Sequence, residues 1–170
     1  FFLKDPAGFD KKAVAEMPTM AAGGRTRHTA TYVSAQGFVH VVGGYSDKAH
    51  LTPVSQIDSF EIHQRQFQGA TNFFSLEGRG GHSAVQLDHN AVLVFGGFKN
   101  GKALASAEII YERHEASDGK TYIDRAFVDS LRKPRGGALG LFLDNGTAVV
   151  IGGVDDTGHF QTAGEFFTPL

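Results

Sequence analysis

The chain has 170 residues, 41% of them apolar, with 16 Lys and Arg against 18 Asp and Glu and a formal net charge of −2. That apolar share suffices for a core, no apolar run reaches the length of a membrane-spanning helix, and the charge balance argues against generic nucleic-acid binding, which wants a basic surface. Cysteine is absent, which excludes disulfides and thiolate metal sites but leaves the compartment open, and 22 glycines, nearly twice the usual share, point to a turn-rich fold.

The chain opens with "FFLKDP", without an initiator Met or a charged-then-apolar signal segment. "AVAEM" from Ala13 reads as the last strand of a unit whose earlier strands are missing. Residues 1–24 are therefore assigned to the end of a preceding unit, and the chain reads as processed or truncated.

Three similar units follow, at 25–78, 79–134 and 135–170, the third truncated. Each opens on an arginine and an apolar strand: "RTRHTATYV" from Arg25, "RGGHSAVQL" from Arg79, "RGGALGLFL" from Arg135. A short turn leads to a second strand that ends in two glycines, Gly43-Gly44, Gly96-Gly97 and Gly152-Gly153, separated by 53 and 56 residues. So few residues between two strands make a β-hairpin. A third strand comes next ("QIDSFEI", "SAEIIYER", "TAGEFFT"), and a less regular fourth near 66–73 and 122–128. The pattern predicts four antiparallel strands per unit. No stretch carries a 3.6-residue apolar period, so no substantial helix is expected. A period in the fifties signals a repeat architecture and outranks any single motif.

Several motifs have competing readings. "GGFKNGKA" nearly matches the phosphate-cradling loop, but Ala103 stands where a metal-binding hydroxyl belongs and a strand follows instead of a helix. Strand-ending glycines are read instead as tight corners with unusual φ. His159 near Asp155 and Asp156 could suggest a cation site, although a solvated turn explains the same residues. His63, His89 and His114 lack partners at metal-ligand spacing, and no metal or cofactor is expected. "NGT" at 145–147 fits a glycosylation acceptor, but the hairpin turn that Asn-Gly prefers explains it by itself.

An arginine followed by His or a small residue, a hairpin ending in GG, and an acidic-plus-aromatic strand resemble the kelch repeat in three registers. "SAEIIYE" and "AGEFF" are similar to its bacterial form. The resemblance implies an all-β fold: an incomplete kelch-type β-propeller arc of about three four-stranded blades. Kelch repeats usually place a tryptophan in the fourth strand, and this chain has none. Phe67 and Phe127 are the expected substitutes, with looser packing between blades.

The resemblance further places the start of each first strand on the same face as the loops after GG. Arg25, Arg79 and Arg135 are then expected either to bond backbone carbonyls of the next blade or to bind acidic ligand groups at the channel mouth. His28 and His82 occupy equivalent positions and mark architecture first. The loops at 45–55, 98–106 and 154–161 are the better recognition candidates, since loops on a rigid scaffold vary and carry function. Tyr45 and Phe98 directly follow GG and are expected as exposed anchors or as covers over neighbouring blades. Asp47, Lys99 and His159 complete the set. The expected function is a binding module for a protein or glycan partner, with part of a carbohydrate-active propeller enzyme (a sugar oxidase or epimerase type) as the alternative. The arc implies remaining blades from a longer chain or from partner copies. Glu108 and Glu165 recur on third strands as expected scaffold hydrogen-bond partners.

Overall fold

The structure is a computed structural model that describes residues 18–21, 23–35, 37–68, 75, 77–87 and 90–168. The strand expected at 13–17, residues 69–73, His89 and the last two residues lie outside the described residues. Among the described residues there is no helix, and every strand pairing between named elements is antiparallel.

The first sheet runs β1 (Thr29–Val33), β2 (Phe38–Val42), β3 (Ile57–Glu61), β4 (Gln66–Phe67), in chain order. The second sheet has the order β5 (Ser83–Gln86), β6 (Ala91–Phe95), β9 (Ala107–Glu115), β10 (Lys120–Val128). Between its second and third strands lies a two-stranded ribbon, β7 (Phe98–Lys99) with β8 (Lys102–Ala103). The third sheet holds β11 (Leu139–Phe142), β12 (Ala148–Ile151) and β13 (Glu165–Phe167). Among the described residues, no sheet closes on itself.

The ribbon settles the phosphate-loop look-alike. Asn100 and Gly101, at φ 52° and 75°, make the tight turn of a small hairpin, the turn that Asn-Gly favours. The sequence reading took this segment as a loop.

The sheets stack face to face in chain order, because period-2 alternation gives the middle sheet two apolar faces. Val92, Val94, Ile110 and Ile123 meet Val33, Val42 and Ile57 of the first sheet. Val85, Leu93, Phe95 and Ala107 meet Ala148 and Val150 of the third. Each such side chain is worth about 1.5–3 kcal/mol when fully buried. The approach is close where β5 meets β11: a Cβ on Gly140 would lie 2.3 Å from Val85 Cγ2.

The expected tryptophan substitutes behave differently from each other. Phe67 packs edge-on against Phe60, with centroids 5.2 Å apart. Phe127 stands exposed on the edge strand β10, so it does not fill a seam between described sheets. Val128 and Leu131 take part in the second core instead.

The outer face of the third sheet is apolar and open. Leu139, Leu141, Ile151 and Phe166 are 58, 46, 48 and 76% exposed. The pairings Leu139↔Ile151, Leu141↔Val149 and Val149↔Phe166 put them on one side. In the second sheet the corresponding positions, Val85, Leu93 and Phe95, are buried by the third.

Two glycines outside the GG pairs set the spacing of the units. A Cβ on Gly80 would fall 2.1 Å from the Tyr45 ring, and one on Gly136 would fall 2.0 Å from the Phe98 ring. Gly136→Ala should therefore destabilise the fold by about 1–3 kcal/mol in urea denaturation, the usual range for overpacking. Gly24→Ala, with open space around it, should change stability by less than about 0.5 kcal/mol.

Candidate functional site

At one end of each sheet an arginine is clasped inside its own unit. Arg79 and Arg135 are fully buried and Arg25 nearly so. Nη1 of each donates twice, to the carbonyl of the first glycine of the GG pair and to a carbonyl entering the third strand. The acceptors are Gly43 (3.3 Å) and Gln56 (2.9 Å) for Arg25, Gly96 (3.0 Å) and Ser106 (2.8 Å) for Arg79, and Gly152 (3.2 Å) and Ala163 (2.9 Å) for Arg135. Nη2 meets a carboxylate on the third strand: Asp58, Glu108 at 3.3 Å, and Glu165 at 2.5 Å. A planar fork with several fixed donors suits this geometry, and a lysine would not.

The second clasp is the most elaborate. Arg79 Nε reaches the Glu77 carbonyl at 3.4 Å, and Glu77 Oε2 accepts from the Ser106 hydroxyl at 2.5 Å. Ser75 donates its hydroxyl to Glu108. Burial works against the Glu77 charge, but Ser106, Lys99 and Arg79 outweigh it and hold its pKa below the usual glutamate value.

The sequence reading allowed the arginines either a carbonyl partner in the next unit or a ligand. Both expectations change. The side chains turn into their own unit, and the arginine backbone carbonyl makes the link between units. Gly44 N–H donates to Arg79 O at 2.8 Å and Gly97 N–H to Arg135 O at 2.9 Å. A Cβ on Gly43 or Gly96 would sit 2.5 or 2.3 Å from those same carbonyls, and both glycines have φ near +63°. The strand-ending pair is thus a corner fitted against the next unit. Arg79 and Arg135 engage Nε as well as both Nη atoms, Arg25 engages Nη1 and Nη2 while its Nε is buried without a partner, and all three heads are buried instead of standing open at the loop end.

The aromatics after GG are also engaged. Tyr45 is 3% exposed and its hydroxyl donates to Phe98 O at 2.9 Å, so it covers the second unit instead of standing on the surface. The Phe98 ring lies over Gly136 in the same way. The bridges Thr26↔Tyr45, Gly80↔Phe98 and Gly136↔Val154 bring the start of each first strand to the loop after GG. Arginines and loops thus share one end of the sheets.

The polar loop residues differ in freedom. Asp47 accepts from the amides of Leu51 (3.1 Å) and Thr52 (2.6 Å), which lower its pKa and order its loop. Lys99 reaches Glu77 at 3.3 Å with its side chain partly exposed. His159 is exposed; its amide donates to Asp155 at 3.0 Å and its ring contacts Thr157 at 2.8 Å. Among the described residues, no group of three or more His, Asp or Glu comes together as a metal site. His28 is exposed at the mouth of the first strand. His82 is buried, with Nε2 2.8 Å from Thr29 Oγ1 across the seam between sheets.

Three features were missed in the sequence. Asp58 completes the first clasp; its place opposite Val41 matches Glu108 opposite Val94, but an Asp in place of Glu hid the repeat. A buried array joins the first two sheets: His40 Nδ1 lies 2.8 Å from Ser59 Oγ and Nε2 lies 2.9 Å from Glu112 Oε1. His40 and Ser59 are each 1% exposed, so these groups, familiar from hydrolases, are sealed from substrate and bridge the sheets. The third feature is Arg27, which holds a left-handed φ of 55° where the other two units have Gly81 and Gly137.

Burial, the Arg79 charge and then the His28 charge push the His82 pKa down to about 3. The unfolded chain binds a proton near pH 6.5, and the folded chain refuses it until about pH 3. Stability is therefore full above about pH 6.5 and is lost as the pH drops through that window, by about 1.4 kcal/mol per unit. Between pH 6.5 and 5 the wild type should lose about 2 kcal/mol more than His82→Gln in urea denaturation. Equal pH slopes would contradict the burial of this ring.

In comparisons with known proteins, no family model matches the chain and no curated protein matches it.

Proposed function

We propose that the chain is an arc of a kelch-type β-propeller acting as a binding module, with the loops after the glycine pairs as its recognition surface for a protein or glycan. The observation that carries this reading is the contrast at one end of the sheets. The arginines and the aromatics Tyr45 and Phe98 are used up in joining units, while the loops above them differ in length, sequence and order. Residues 45–55 form an irregular loop ordered by Asp47, residues 98–103 a ribbon, and residues 154–161 a turn ordered by Asp155. A repeated rigid base under unequal loops is the arrangement that recognition sites favour. The kelch resemblance of the three arginine-to-GG units and the face-to-face stacking of their sheets support the propeller arrangement.

The test is selection from peptide and glycan displays, followed by mapping. Ligands recovered on the wild type should lose binding to Asp47→Ala, which frees the amides of Leu51 and Thr52, and to His159→Ala. They should keep binding to variants in the 116–119 turn at the far end of β9. Ligands that map to the far turn would overturn the assignment.

In this reading the open face of the third sheet seats a further blade, from a longer polypeptide or from partner copies. An apolar patch of this kind is an association surface. Light scattering on the 170-residue chain should give a mass above the monomer, and Leu141→Lys with Phe166→Lys should return it to the monomer. A wild-type monomer would remove the partner-copy version.

A further inference from the structure

The tip of the β11–β12 hairpin holds a reactive pair, Asn145 and Gly146. Leu143 N–H donates to Thr147 O at 2.8 Å and Gly146 N–H to Leu143 O at 3.0 Å, which closes the turn. The Asn145 side chain folds back onto it: Oδ1 accepts the Thr147 N–H at 3.1 Å. Asn145 is exposed, and its Nδ2 bonds no described residue. Gly146 has φ of +81° and open space where a Cβ would stand. The tip lies at the end of the sheet away from the glycine corners, since Gly152 follows the other end of β12.

These features are the parts of an acyl-transfer site. The ring closed by the Oδ1 hydrogen bond contains both Asn145 Cγ and the Gly146 nitrogen. It therefore freezes in advance a rotation that joining those two atoms requires. The Thr147 N–H points at Oδ1, the atom on which negative charge develops when a nucleophile adds to Cγ. The nitrogen that would leave faces solvent. The nitrogen that would attack belongs to a glycine, so no Cβ crowds it.

We infer that Asn145 is a self-modification site, which the chain converts to aspartate and isoaspartate with water as the co-reactant. Hydroxide takes the Gly146 amide proton, and Gly146 N bonds to Asn145 Cγ. The Cγ–Nδ2 bond then breaks, and Nδ2 takes a proton from water and departs as ammonia. The product is a cyclic imide. Water adds to one of its carbonyls and opens it: breaking the bond between Cγ and Gly146 N leaves aspartate, and breaking the original peptide bond leaves isoaspartate. The isoaspartate backbone runs through Cγ. That lengthens the link between β11 and β12 beside the Phe142↔Ala148 pair and places a new carboxylate next to Asp144.

Asn100-Gly101, the other Asn-Gly of the chain, is the internal comparison. It too is exposed at a hairpin tip, but Asn100 has a left-handed φ of 52° and no described N–H donates to its side chain. One contact works against Asn145, the bond from Gly146 to Leu143, and a single bond at an exposed tip opens readily.

The test is to age the whole chain at neutral and at alkaline pH in heavy-oxygen water, then map both sites by peptide mass and measure isoaspartate and ammonia. Asn145 should convert faster than Asn100, take up heavy oxygen and speed up as hydroxide rises. Thr147→Pro removes the N–H without touching the strand ladder, at a place where proline is tolerated. It should slow conversion at Asn145 about two- to tenfold, the worth of one hydrogen bond, and leave Asn100 unchanged. In concentrated urea the wild-type difference between the two sites should disappear, which needs no variant to fold. Equal rates at the two sites in the folded chain, a difference that persists in urea, or a folded Thr147→Pro that converts as fast as the wild type would each overturn the proposal.

Discussion

The buried arginine–carboxylate clasp is the interaction on which the rest of the molecule depends. Taking two opposite charges out of water is expensive, and the mutual attraction offsets the expense only when the remaining donors find partners. Arg79 meets that condition with the carbonyls of Gly96, Ser106 and Glu77 and the carboxylate of Glu108. Losing one partner of such a pair costs about 3–5 kcal/mol, because it strands the other charge. The clasp also holds the glycine just past the second strand, the entry to the third and the opening residue of the unit in one place. That fixes the corner at which the next unit docks.

From that corner the joints between units follow. The clasped arginine turns its own carbonyl outward, and the second glycine of the preceding pair donates to it. The ring after the pair drops onto a bare glycine of the next unit. The sheets are then close enough for their apolar faces to interlock, with polar contacts in the first seam at Ser59, His40 and Glu112 and at Thr29 and His82. Buried polar groups of this kind are tolerable when paired, and they restrict how the two sheets can slide. The third clasp shows what an unopposed unit looks like. Its geometry is complete, yet a Cβ on Gly152 would have open space around it and the outer face of its sheet is uncovered.

The division of labour at the loop end has a functional consequence. Groups that look most suited to ligand binding in the sequence, the repeated arginines and the aromatics after GG, are consumed by the scaffold because they repeat. What does not repeat at this end is the set of unequal loops, and Arg27 in place of a glycine.

Repeats, hairpins and the absence of helix were legible in the sequence, because period-2 apolar alternation and paired glycines are local signals repeated in three registers. The common end of arginines and loops was legible through the kelch resemblance, and Glu108 and Glu165 through their recurrence. Burial was not legible. Whether Tyr45 faces solvent depends on Gly80, a residue of the next unit 35 positions away, and no local pattern carries that distance. Nor was the direction of the arginine heads, since the acceptors within a unit and across units lie at similar spacings from GG. Asp58 and the His40 array escaped because their partners meet only after sheets form and stack. The ribbon at 98–103 and the strain at Arg27 are backbone facts: each follows from φ, which composition leaves free at Asn and Arg and tertiary contacts decide. The sequence by itself determined the unit and its strands. The tertiary structure decided which of the unit's polar and aromatic groups are spent inside it, because burial is a property of the neighbour.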